Sequence, residues 1–283
     1  MKLVRYGPIG LEKPGIVDAA GNVRDLAGIV PDIAGAVLSA AGLAELARLD
    51  IGALPLVSGN FRLGPCVGGT RHFIAIGLNY FDHAVEAKME IPKEPIIFQK
   101  APSCISGQND DVVLPPGSEK SDWELEMAIV IGSRAQYLSK AAAMDAVAGF
   151  CICNDVSERH YQLERGGQWA KGKGCATFGP LGPWLVTKDE IPDVQQLDMW
   201  LTVNGAGKQN SSTQKMIFDA AHLVSYCSQF FVLEPGDVIT TGTPSGVGLG
   251  MKPEPQFLRA GDVMRLGIAR LGVQQQRVVN YQP

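Results

Sequence analysis

The sequence predicts a β-rich α+β fold, with a small N-terminal domain at residues 1–70 and a larger domain of mixed strands at 71–283. Three observations carry this. Short apolar stretches bounded by Gly, Pro, Asn or Asp recur along the chain, which is the pattern of strands. Helical signals are few and do not alternate with the strands as Rossmann or TIM architectures require. The 283 residues suffice for a sizeable core, and no internal repeat or low-complexity segment divides them.

Residues 1–31 read as short strands with turns at Gly7-Pro8, Lys13-Pro14-Gly15 and Ala20-Gly21-Asn22. Asp32 can cap a helix over 32–49, whose apolar stripe is Ile33, Val37, Leu43, Leu46 and Leu49. A Gly- and Pro-punctuated stretch from Leu54 to Gly69 forms the linker. Strands are then predicted at Phe73–Gly77, Ile96–Lys100, Asp111–Leu114 and Trp123–Ile131. A helix over Lys140–Ala148 leads into a buried strand ending at Asn154, and a polar helix starts at Asp155. Beyond a Gly-rich loop at 166–182, strands are predicted at Trp184–Thr187, Met199–Val203, Val238–Thr241 and Val263–Ile268, with a helix over Ile217–Phe231.

Bulk composition excludes several classes. Charged residues are 19% of the chain, the formal net charge is −4, and Lys and Arg are scattered singly, so nucleic acid is not an expected partner. The six cysteines lack zinc-site spacing and read as reduced, mostly buried thiols. The N-terminus lacks a signal peptide's apolar run, and no segment reaches the roughly 20 apolar residues of a membrane span. The expectation is a soluble, cytoplasmic protein.

Chemistry concentrates in a few places. In the Trp123–Ile131 strand, Glu124 and Glu126 share one face, and two crowded carboxylates call for a positive partner such as a divalent cation. A solvated strand edge is the plain alternative. Asp155 closes a buried strand, although Asp155-Val-Ser-Glu158 also has capping-box spacing. Three carboxylates without a suitably spaced His or Cys make an all-oxygen site suited to Mg²⁺ or Mn²⁺. His83 and Glu86, three apart, share a face if that segment is helical, so the carboxylate can orient the imidazole as a general base. Lys171-Gly-Lys173 reads as a flexible cationic loop, solvated unless something nearby engages Lys173. The stretch Thr240–Gly248 offers hydroxyls and backbone N–H groups to an anion, or is a tight turn; it is no Walker A loop.

Taken together, the order His83-x-x-Glu86, Glu124-x-Glu126, Asn154-Asp155 with Arg159 and Gln162, Lys173 with Thr177, and Thr241-Gly-Thr243-Pro resembles the fumarylacetoacetate hydrolase superfamily over about residues 70–270. Trp123-Glu-Leu-Glu, Arg165-Gly-Gly-x-Trp169-x-Lys-Gly-Lys173-Gly-Cys and Phe178-Gly-Pro-x-Gly-Pro-Trp184 look most like its sugar-acid branch, which cleaves 2,4-diketo-3-deoxy acids. Ala176 departs from that branch, where an acidic residue is usual, and is left out of the site. The resemblance implies a mixed β-sheet roll or barrel, a homodimer or higher homo-oligomer, and a Mg²⁺-dependent enzyme, Mn²⁺ being the alternative ion, with no organic cofactor. It implies Glu124, Glu126 and Asp155 as metal ligands and His83, Glu86 and Lys173 as catalytic residues. Arg159, Gln162 and Thr243 become substrate contacts, with Thr177 beside the metal. The expected reaction is C3–C4 hydrolysis of a 2,4-dioxo acid, foremost 2,4-diketo-3-deoxy-L-rhamnonate or an L-fuconate derivative, giving pyruvate and L-lactate. Acylpyruvate cleavage, oxaloacetate decarboxylation and keto-acid lyase action on the same site are the alternatives.

Overall fold

A computed structural model describes residues 1–283. Its strands are β1 (Lys2–Tyr6), β2 (Lys13–Val17), β3 (Val23–Asp25), β4 (Phe73–Gly77), β5 (Ile96–Lys100), β6 (Ile105–Gly107), β7 (Val112–Leu114), β8 (Ser121–Asp122) and β9 (Leu125–Ile131). They continue with β10 (Val147–Asn154), β11 (Ser157–Glu158), β12 (Gly179–Thr187), β13 (Asp198–Val203), β14 (Ala206–Ser212), β15 (Val238–Thr240), β16 (Val263–Ile268) and β17 (Gly272–Asn280). Short helices interrupt them: α1 (Ala40–Leu46), α2 (Phe81–Glu86), α3 (Lys140–Ala143), α4 (Arg159–Leu163), α5 (Ala170–Lys173) and α6 (Ala220–Cys227).

The large sheet runs β3-β2-β1-β12-β10-β9-β15-β4-β5, with β6 also paired to β12; a second sheet runs β14-β13-β16-β17-β7, and β8 pairs β11. Pairing is mixed, because β15 with β4, β12 with β6 and β17 with β7 are parallel and the rest antiparallel. The large sheet stays open at β3 and β5, so the fold is β-rich and mixed as predicted but not a closed barrel.

The N-terminal strands join the edge of this sheet through β1 against β12. One core cluster of 55 buried residues extends from Leu3 and Ile16 to Val278, so residues on both sides of position 70 share it. Near its centre lies β9, buried along its whole length, because β10 and β15 cover its edges and side chains cover both faces. The solvated strand edge considered for Glu124 and Glu126 is therefore absent: they are 5% and 1% exposed. All six cysteines are free thiols, and all but Cys175 are buried.

Several elements are shorter or differently capped than predicted. Ser39, not Asp32, caps α1, because Asp32 is drawn to Arg5 at 2.7 Å. Asp155 caps nothing; the helix that follows starts at Arg159 and takes its cap from Glu158. The helix expected over Ile217–Phe231 is confined to α6, capped by Asp219. Lys171-Gly-Lys173 is no flexible loop but belongs to α5, and Lys173 is 2% exposed. The hairpin partners β14 and β17 were not predicted, since their polar faces mask the alternation.

Candidate active site

Register brings the three carboxylates together. In the antiparallel β9–β10 pair Glu126 lies opposite Cys153 and Leu125 opposite Asn154, so Asp155, just past the end of β10, arrives beside Glu124 and Glu126. The Asp155 N–H donates to the Glu124 carbonyl at 2.8 Å, which fixes the junction. One oxygen from each carboxylate lies within 4.8 Å of the others, all three groups being buried.

Three cations stand around them. Lys173 Nζ donates to Glu124 Oε2 at 2.5 Å and to Asp155 Oδ2 at 2.7 Å. Arg159 Nη2 reaches Glu124 Oε1 at 2.6 Å and Asp122 Oδ2 at 2.8 Å. Lys100 Nζ forms an ion pair with Asp155 Oδ1 at 2.5 Å and donates to the Lys173 carbonyl at 2.5 Å. Lys173 is placed by the packing of α5 on α4: a Cβ at Gly172 would come within 2.4 Å of the Glu158 carbonyl oxygen, so only glycine permits this approach.

The charges do not balance. Asp122, Glu124, Glu126 and Asp155 face Lys100, Arg159 and Lys173, four negatives against three positives, and Glu126 is the carboxylate without a cation. Its Oε2 accepts only the Gly242 N–H, at 2.9 Å. Burial, then the neighbouring Asp155 and Glu124, push its pKa well above the usual glutamate range. Glu124 goes the other way: burial raises it, but Lys173 and Arg159 outweigh that and hold it at about 2. An all-oxygen cluster with one carboxyl left without a cation partner fits a hard divalent cation.

A cavity of about 170 Å³ opens in front of the cluster. Its walls include Glu124, Glu126, Arg159, Gln162, Lys173, Thr243 and His83, so seven of the ten residues singled out from the sequence line it. Asp155 sits behind them, and Glu86 lies against His83, whose Nδ1 is 3.1 Å from Glu86 Oε2. Thr177 is not brought in; its hydroxyl accepts the Val113 N–H at 2.8 Å, and it does not line the cavity.

The segment α2 is tied down at both ends. Asp82 Oδ2 accepts from Ser211 and Lys215, each at 3.0 Å, and Glu86 Oε1 accepts the Gly246 N–H at 2.9 Å. The Thr240–Gly248 stretch does bind anions, but they are the protein's own: Gly242, Gly246 and Gly248 donate to Glu126, Glu86 and Asp122. Sequence reasoning missed Lys100, Asp122 and Asp82. For Lys100 the available signal was a lysine ending an apolar strand, and for Asp122 a third acid beside Glu124 and Glu126.

Fold and site together define an enzyme with a buried carboxylate centre at the bottom of a small cavity. Residues 72–279 match the family described as fumarylacetoacetate (FAA) hydrolase C-terminal, and the chain belongs to the fumarylacetoacetate hydrolase family. It is 59% identical over 282 residues, all of both chains, to a Burkholderia orbicola protein named provisionally as a hydrolase. Among solved structures, a fumarylacetoacetate hydrolase from Exiguobacterium antarcticum superposes with a TM-score of 0.87 at 33% identity, over 99% of this chain and 100% of that one. A maleylpyruvate hydrolase from Sphingobium sp. SYK-6, solved with manganese(II) and pyruvate, has a TM-score of 0.83 at 26% identity, with both chains fully covered. A 2-hydroxyhepta-2,4-diene-1,7-dioate isomerase from Mycobacterium marinum has a TM-score of 0.75 at 30% identity, again over both full chains. Hydrolases and isomerases thus both occur among the similar proteins.

Proposed function

We propose that this chain hydrolyses the C3–C4 bond of a 2,4-dioxo acid and releases pyruvate, using a divalent cation held by Glu124, Glu126 and Asp155. The observation that carries the reading is the meeting of these three buried carboxylates, one of them without a cation, behind a cavity that His83, paired with Glu86, also lines. The manganese(II) and pyruvate in the maleylpyruvate hydrolase of the same fold support it. Bound there, Mg²⁺ or Mn²⁺ supplies Lewis acidity toward a 2-oxo acid.

The chain's own residues do the rest. Glu86, fixed by the Gly246 N–H, holds the Nδ1 side of His83, which leaves Nε2 to take a proton from water as it adds to C4. Lys173 and Arg159 place positive charge beside the carboxylates and stabilise the negative charge that develops on the departing pyruvate unit. Gln162 and Thr243, both in the cavity wall, orient the substrate. 2,4-Diketo-3-deoxy-L-rhamnonate, the acid suggested by the sequence, is a member of this class. We propose with it a homodimer or larger homo-oligomer acting in the cytoplasm.

The test is pyruvate release from a panel of 2,4-dioxo acids with Mg²⁺ or Mn²⁺ present. The reading predicts pyruvate from at least one member and loss of that activity in His83→Ala. A decarboxylase, which needs no activated water, keeps its activity in His83→Ala. An isomerase, the reading favoured by the Mycobacterium marinum neighbour, converts its substrate without pyruvate or loss of mass.

A further inference from the structure

Two kinds of side chain line the cavity. The polar ones are the groups of the carboxylate centre together with His83, Gln162 and Thr243; the others are hydrocarbon, chiefly Leu78, Met89, Phe98, Leu163, Trp169 and Leu249. The two cations among the lining residues stand at the carboxylate centre and not along the hydrocarbon wall, Arg159 against Asp122 and Glu124 and Lys173 against Glu124 and Asp155. A substrate tail that carries a second carboxylate would meet hydrocarbon along this wall, because Lys88 and Lys252 line the adjoining pocket and not this one.

Leu78 is singular in this wall. It directly follows β4 with φ of 52°, in the left-handed region where a Cβ crowds the backbone and where glycine or asparagine is at ease. Both neighbours are fixed in place. A Cβ at Gly77 would come within 2.8 Å of the Trp169 ring, so the chain passes close under the indole. Asn79 is locked by hydrogen bonds between its side chain and the backbone of Phe218 and Thr241, at 2.8 to 3.0 Å. Glycine would satisfy the backbone but leave the wall open. A buried leucine kept in a disfavoured conformation points to a use for its side chain.

We propose that Leu78 determines which substrate tail is accepted: it completes a hydrocarbon wall that takes an alkyl acyl group and rejects a tail ending in carboxylate, whose burial without a cation is unfavourable. The inference rests on the dioxo-acid hydrolase reading. For an acylpyruvate R–CO–CH2–CO–COO⁻, the water oxygen bonds to C4 and the C3–C4 bond breaks. The electron pair of that bond stays on C3, which takes a proton, and the products are R–COO⁻, pyruvate and one released proton. Nothing is oxidised or reduced.

The experiment compares kcat/KM for acetylpyruvate, butanoylpyruvate, 2,4-diketo-3-deoxy-L-rhamnonate and maleylpyruvate in the wild type, Leu78→Arg and Leu78→Gly, read by pyruvate release. The wild type is expected to favour one of the uncharged-tail acids over maleylpyruvate by about tenfold or more. Leu78→Arg should shrink that ratio by about tenfold, mainly through a lower KM for maleylpyruvate. Leu78→Gly removes the wall while relieving the backbone, so it should fold and should also shrink the ratio; it carries the test if the arginine variant does not fold. Maleylpyruvate used as well as the uncharged-tail acids by the wild type, or a ratio unmoved in the variants that fold, overturns the proposal. If maleylpyruvate is the substrate, pyruvate still appears and the hydrolase reading stands alone. Pyruvate from none of the four contradicts the hydrolase reading itself, and this inference with it.

Discussion

Glu126 differs from the other carboxylates of the cluster in having no cation of its own, and that difference has a measurable sign. Its pKa is raised in the folded protein, so the carboxyl's contribution to stability is complete below the ordinary glutamate range and is lost as pH rises through the folded value. In the metal-free protein, Glu126→Gln should therefore raise the melting temperature at neutral pH by an amount worth about 1 kcal/mol or more, and the gain should grow with pH. Thermal melts of chelated protein across a pH series check this; a variant less stable than the wild type at every pH contradicts it. At this scale the sequence was informative, because Glu124, Glu126, Asp155, Lys173 and the His83–Glu86 pair sit at motif spacings. Lys100 was not legible, since its role depends on β5 passing beneath Asp155, a neighbour 55 positions away in the chain.

In the proposed mechanism the element on which activity depends most delicately is α2, a six-residue helix that carries His83 and Glu86. So short a helix has little stability of its own, and its place is set by Asp82 and Glu86 at its two ends. Asp82 does not line the cavity. Asp82→Ala should lower kcat on the panel's best acid by about tenfold, because the misplacement of a general base is costly, while the melting temperature moves little, since half-exposed ion pairs contribute modestly. Equal kcat in the variant would show that α2 is positioned by other means. Strands were easier to read than helices: β4, β5, β10 and β16 fall at their predicted places, because a short apolar run bounded by turns carries its own signal whether it is buried, as β4 and β10 are, or half-buried, as β5 is. Helix starts were misplaced where an acidic residue that could cap was instead engaged over a long range, as Asp32 is by Arg5 and Asp155 by Lys173.

Over the whole molecule, what the sequence left unread is topology. Nothing local says that β1 pairs with β12, or that β15 slots between β9 and β4; yet the second arrangement is what sets Gly242 against Glu126 and Leu78 in the cavity wall. The architecture buries one more carboxyl than it has cations to pair with, and a divalent cation is the partner that explains this. Titration of chelated full-length protein with Mn²⁺, followed by calorimetry, tests that claim most directly. The account predicts one ion bound per chain, tighter binding as pH rises because Glu126 must give up its proton, and loss of that binding in Glu126→Gln. Absence of saturable Mn²⁺ binding, or equal binding by Glu126→Gln, would contradict it.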